Sequence, residues 1–178
     1  MRYVIVCVVK GEAEKFNNKL RTKVWEKFQL KSSKLPAHFT IKAPFEYEGA
    51  LTVLDAKLEW FCRNEYAASF MLDGYDHFDD RVIYMKVKMS EAGKILHDKL
   101  IDELGQLPYI GFNKQDGKDK IFHVTVASKK LRNKYEEAWK YVHQYPCKFQ
   151  CEFDNICIYE WQQDTWKLYK CYALKKDK

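Results

Sequence analysis

Two short stretches decide how this chain is read: PAHFTIKAPF at residues 36–45, which contains His38-Phe39-Thr40-Ile41, and IFHVTVAS at residues 121–128, which contains His123-Val124-Thr125-Val126. Both are rich in β-branched and aromatic residues and read as strands. In a strand, residues i and i+2 point to the same side. His38 and Thr40 are therefore predicted to share one face, with Phe39 and Ile41 on the other. His123 and Thr125 do the same, with Phe122, Val124 and Val126 opposite. Continued alternation puts Lys42 on the face of His38. Each polar pair is thus offered from a rigid strand whose reverse side is anchored in a core, which is how a preorganised site is supported. With five His and five Thr in the chain, chance supplies roughly 0.14 His-x-Thr triplets per shuffled sequence, so a pair is not a compositional accident.

Outward from the first motif, residues 3–9 (YVIVCVV) read as a buried strand, and residues 12–28 switch to helical period with Phe16, Leu20, Val24 and Phe28 on one face. A polar loop, Lys31 to Lys34, leads into the motif. A second helix follows with the stripe Leu51, Leu54, Leu58, Phe61 and Cys62, then a strand, AASFML, ended by an Asp73-Gly74 turn. The second half repeats this order. Residues 81–89 alternate, and Ser90 caps a helix with the stripe Ile95, Leu96, Leu100 and Leu104. The loop 111–120 enters the second motif, and a helix with Leu131, Tyr135, Ala138, Trp139 and Val142 follows. Strands are expected at about 147–160 and 166–174. The two motifs lie 85 residues apart. The expected architecture is one α+β domain over residues 1–178, with two similar lobes, roughly 1–75 and 80–178, that can exchange terminal strands.

Composition narrows the function. The 178 residues are 47% hydrophobic and 16% aromatic, with a net charge of +6, which excludes disordered and collagen-like classes. The apolar run at Tyr3–Val9 stops at Lys10, Glu12 and Glu14, too early for a membrane span or a signal peptide, so a cytoplasmic protein is expected. Its six cysteines are then expected as buried free thiols rather than a disulfide framework. Positive charge comes from 26 Lys and only 5 Arg. That is a diffuse field rather than a set of planar clamps, and it suits a short or small anionic partner.

Two imidazoles facing one cleft suit proton chemistry near neutral pH, because one can be neutral while the other is protonated. In-line displacement at phosphorus needs that pair: a base for the nucleophile and an acid for the leaving oxygen. Thr40 and Thr125 can donate to the equatorial phosphoryl oxygens. The set makes a poor zinc site, since neutral Thr is not a usual ligand, and no metal or cofactor is expected. Tyr84 reads either as a base-stacking aromatic or as a sheet tyrosine. The loop bearing Lys120 reads as a lid or as a connection. Asp76-His77-Phe78-Asp79-Asp80 reads as a solvated hairpin loop, and His97 and His143 as structural or exposed.

The paired motifs and their flanks resemble the 2H phosphoesterase superfamily, most closely its bacterial 2′-5′ RNA ligase-like, cyclic-phosphodiesterase-like branch. The resemblance implies a bilobal fold with a pseudo-two-fold axis, two antiparallel sheets flanked by helices, and a central cleft. It implies metal-independent hydrolysis of 2′,3′-cyclic phosphates or reversible formation of 2′-5′ bonds. His38, Thr40, His123 and Thr125 would be catalytic, in a monomer acting on an RNA terminus or a small cyclic-phosphate nucleotide. Lys42, Tyr84, Lys120, Lys129 and Lys130 are candidates for substrate contact. Many members of the branch carry an Arg five residues after the second His, where this sequence has Ser128. A non-catalytic module holding an RNA end in the same cleft is the alternative.

Overall fold

The computed structural model describes residues 1–176, and every structural statement below refers to these. Its elements, in chain order, are β1 (Arg2–Val8), α1 (Gly11–Phe28), β2 (His38–Glu46), α2 (Thr52–Asn64), β3 (Ala68–Phe78), β4 (Val82–Met89), α3 (Glu91–Gly105), β5 (His123–Ala127), α4 (Tyr135–Val142), β6 (Lys148–Phe153), β7 (Asn155–Gln162) and β8 (Thr165–Ala173). They form two four-stranded antiparallel sheets, ordered β2-β1-β7-β8 and β5-β4-β3-β6. Each His-x-Thr strand is therefore an edge strand of its own sheet, and the two edges lie against each other.

The sheets do not follow the two sequence halves. β3 belongs by sequence to the first half but pairs with β4 in the second sheet. The stretch expected as one strand over 147–160 breaks at Asp154 into β6 and β7, which lie in different sheets. β7 and β8 return to pair with β1, so the first sheet combines the two ends of the chain. α1 packs against β5, β6 and α4 rather than on its own sheet.

Local chemistry accounts for most element limits. Ser90 accepts from the Gly93 amide at 3.0 Å and starts α3. Gly74 does not end β3. It sits at a register shift between Leu72 and Tyr75 with φ +73°, a bulge in a continuing strand. The chain reverses further on, where Asp79 takes φ 49° and the Arg81 amide reaches the Phe78 carbonyl at 3.1 Å. On α3 the buried stripe is Leu96, His97, Leu100, Ile101 and Leu104, while Ile95 is exposed. The core meets at Phe39, whose ring packs edge-on against Phe70, Phe122 and Phe153 at 5.5, 5.6 and 5.1 Å. One motif residue thus ties the first sheet to aromatics on two strands of the second sheet, β3 and β6, and to the one just before β5. Burial of such a ring is worth about 1.5–3 kcal/mol.

The cysteines depart from expectation in one place. Cys157 and Cys171 are directly opposed across β7 and β8 and form a disulfide. Their spacing in sequence carries no such signal, because it does not reveal strand register. Cys7, Cys62, Cys147 and Cys151 are free thiols. No helix among the described residues is long and apolar enough to cross a membrane.

Candidate active site

His38 and His123 occupy equivalent places, each the first residue of its strand. His38 Nδ1 lies 2.6 Å from the Pro36 carbonyl and His123 Nδ1 lies 3.0 Å from the Ile121 carbonyl, in both cases two residues back. A carbonyl oxygen only accepts, so Nδ1 carries the hydrogen in each ring. Nε2 is then left with the lone pair in the neutral imidazole, and the same backbone device orients both rings. Thr40 and Thr125 are half-buried. The equivalence extends to a bulge. In β2 the register pairs Val6 with Thr40 but Ile5 with Lys42, leaving Ile41 as the extra residue. In β5 it pairs Tyr84 with Thr125 but Ile83 with Ala127, leaving Val126 as the extra residue. Both bulges fall three residues after the histidine. They end the simple alternation, so Lys42 does not share the face of His38 and Thr40. It is paired with Ile5, on the core side of β1.

Burial sets the charge state of the site. His38 is 9% exposed, and burial pushes its pKa down to about 4, with the nearby His123 and Arg21 lowering it further against the pull of the Pro36 carbonyl. The strands that carry the two rings, β2 and β5, lie against each other. His123 is also held below its ordinary value, by burial first and by the Lys120 ammonium after it, while the Ile121 carbonyl opposes them. Tyr84 is buried and its ring lies 5.2 Å from that of His123, with Phe78 edge-on at 5.0 Å on the same imidazole. Tyr84 is therefore placed against the second histidine, where it restrains the ring.

A model of the 2′-5′ RNA ligase superfamily matches residues 11–165, a span that contains both motifs. This chain belongs to that superfamily, within the 2H phosphoesterases. No curated protein sequence matches it. Among solved structures, TT0787 of Thermus thermophilus shares the fold with a TM-score of 0.69 at 16% identity, covering 100% of both chains. E. coli LigT complexed with 3′-AMP matches with a TM-score of 0.63 at 16% identity over 97% of each chain. A further structure described as a phosphoesterase matches at 0.62 and 13% over 97% of each. At these identities the likeness is one of fold.

Around this 2H-type pair of histidines, Lys42 and Lys120 are already engaged. Lys42 forms a buried ion pair with Asp116 and lies 5.4 Å over the Phe112 ring. Asp116 also accepts from the amides of Asn113 at 2.8 Å and Ala43 at 3.2 Å. Burial raises its carboxyl, but those amides and Lys42 outweigh it and hold the group below the usual carboxylate range. Lys120 donates to the carbonyls of Thr40 and Ile41, the latter at 2.9 Å, and so clips the entry to β5 onto the bulge of β2. Burial, partly opposed by Asp116, brings its pKa down to about 7. Lys129 and Lys130 are exposed beyond the end of β5, and the amides of Ser128 and Lys129 both donate to the Lys31 carbonyl at 3.0 Å.

Several residues of this superfamily member carry the site without standing out in sequence. Asp116 sits in a polar loop that gives no hint of burial. Asn17, fully buried on α1, donates to the Thr125 carbonyl at 3.3 Å; a lone Asn on an apolar helical face was the available signal. Arg21 fixes the approach to His38 by donating to the carbonyls of Leu35 at 3.0 Å and Ser33 at 2.5 Å. His97 is fully buried under Phe122, ring centroids 4.7 Å apart, with Nε2 unpartnered. Among the described residues, no group of three or more His, Cys, Asp or Glu side chains is placed to hold a metal ion.

Proposed function

We propose that this chain is a phosphoesterase that opens a 2′,3′-cyclic phosphate, or forms and breaks the related 2′-5′ phosphodiester, by two-histidine acid–base catalysis. The carrying observation is the matched pair of Nδ1–H contacts to backbone carbonyls, which leaves one Nε2 from each half of the chain for proton transfer. His38, the more deeply buried ring, is the base. Its Nε2 takes a proton from water as the water oxygen bonds to phosphorus. His123 is the acid. Its Nε2 gives a proton to the leaving ribose oxygen as the P–O bond breaks, and the negative substrate keeps that imidazolium charged. Thr40 and Thr125 donate to the equatorial oxygens.

Superfamily membership supports the reaction class. The nucleotide-bound forms of E. coli LigT, with 3′-AMP, NADP+ and ATP, support a nucleotide-like substrate. The test is turnover of nucleoside 2′,3′-cyclic phosphates and of oligonucleotides ending in one, with and without EDTA. Replacing His38 or His123 by Ala is expected to cut kcat by about 10²–10⁴-fold each, with activity indifferent to the chelator. Full activity in both single variants removes the mechanism, and salt-sensitive RNA binding without turnover would replace it with a binding module.

A further inference from the structure

The two loops that precede the motifs each dock on the strand carrying the other motif, but they do so differently. The loop before His123 is sealed onto β2 by Asp116, Lys42 and Lys120. The loop before His38 touches the end of β5 only through the Lys31 carbonyl and leaves a groove of about 610 Å³ against α1. That volume is in the range of ligand sites. Pro36 lines the groove, and its carbonyl orients His38 two residues on, so the groove lies beside the first histidine.

Its chemistry is one-sided. Arg21, Lys31 and Lys34 line it, and no Asp or Glu does. Trp25 lies on its wall with an exposed indole, and the Lys31 ammonium sits 4.8 Å above that ring. Beside the groove, Lys31 pairs with Lys129 in an antiparallel backbone bridge, though Lys129 is not itself in the lining. Like charges directly opposed in a ladder are destabilising unless an anion lies between them. Both are exposed, and neither forms an ion pair among the described residues. An uncompensated lysine pair beside an exposed aromatic is the composition of a single-stranded nucleic-acid track, where a base stacks and a phosphate is neutralised.

We propose that this groove holds a single-stranded RNA segment continuous with the phosphodiester in the cleft, one base on Trp25 and one backbone phosphate between Lys31 and Lys129. The proposal rests on the phosphoesterase reading and sharpens it: the substrate is an RNA strand rather than a free mononucleotide. The loop before His123 is held on β2 by the buried Lys42–Asp116 pair, whereas the loop before His38 leaves this groove open.

The experiment compares kcat/KM for uridine 2′,3′-cyclic phosphate with that for a short oligouridylate ending in the same group. It also measures binding of a fluorescein-labelled oligouridylate by anisotropy over a salt series. The unmodified chain is expected to prefer the oligonucleotide. Trp25→Ala should lower that preference about tenfold, Trp25→Phe should keep most of it, and Lys31→Glu should flatten the salt dependence of binding. Trp25 and Lys31 are exposed, so these variants leave the core intact. Equal use of both substrates, a preference unmoved by Trp25→Ala and Lys31→Glu, or equally tight competition by polyglutamate overturns the groove and leaves the catalytic reading standing. No turnover of either substrate, with binding that still depends on Trp25 and Lys31, removes the catalytic reading and leaves the groove.

Discussion

Nothing in the side chains of His38 and His123 orients them; the carbonyls of Pro36 and Ile121 do, and each comes from the residue two places before its histidine. That contact is local, so the placement of both histidines on His-x-Thr strands was legible before any tertiary contact was known. Lys120 was not legible in this way. Its ammonium bonds the Thr40 and Ile41 carbonyls and lies near enough to His123 to lower that ring's pKa. Lys120→Met should therefore raise the His123 pKa, read by NMR titration of its ring protons. It should also cost roughly 1–3 kcal/mol by leaving two acceptors unpaired. Lys120→Arg should restore the stability and keep the His123 pKa low. A His123 pKa that does not move in Lys120→Met would show that Lys120 acts only as a clip.

At the scale of elements, the matched bulges after the two motifs matter most. Strand alternation is a good guide over three or four residues, and here it held from His38 to Ile41. One extra residue then turns Lys42 away from the cleft, and no pattern of apolar and polar residues announces the insertion. The same limit hid the bulge at Gly74, where an Asp-Gly pair has the composition of a turn. Turned inward, Lys42 is matched by Asp116, and this buried pair joins β2 to the loop that delivers His123. Lys42→Met or Asp116→Asn alone leaves a buried charge unpaired and should destabilise by about 3–5 kcal/mol. The double variant Lys42→Met/Asp116→Asn removes both charges, keeps an oxygen for one of the two amides, and should recover part of that loss. Denaturant unfolding of the three variants measures the coupling, and additive losses would mean that the two groups do not act as a pair.

Over the whole molecule, burial of neutral histidine links stability to pH. His38 and His97 have folded pKa values near 4 and 3, both pushed down by burial from an ordinary value near 6.5. Between those values the unfolded chain binds protons that the folded chain does not. Stability is therefore complete above about pH 6.5 and falls as the pH drops toward 4, by up to about 1.4 kcal/mol per pH unit for each ring. Urea midpoints measured from about pH 7.5 to about pH 5 should decrease accordingly, and His97→Leu should make the decrease shallower. An identical slope in that variant would remove His97 from the account.

The sequence by itself determined the two His-x-Thr strands, the repeated order of elements, the family and most of the helical stripes. These depend on periodicity and on contacts within a few residues, which a linear pattern records directly. Only the tertiary structure decided which strands share a sheet, that the two ends of the chain build one sheet together, that Cys157 meets Cys171, and that Lys42 faces Asp116 instead of the cleft. Those outcomes depend on register and on long-range packing, where one inserted residue reverses a side chain and the partner lies far away in sequence. The groove ahead of His38 is of the second kind: nothing in the sequence marks Trp25 or Lys31 until the fold sets Lys31 opposite Lys129.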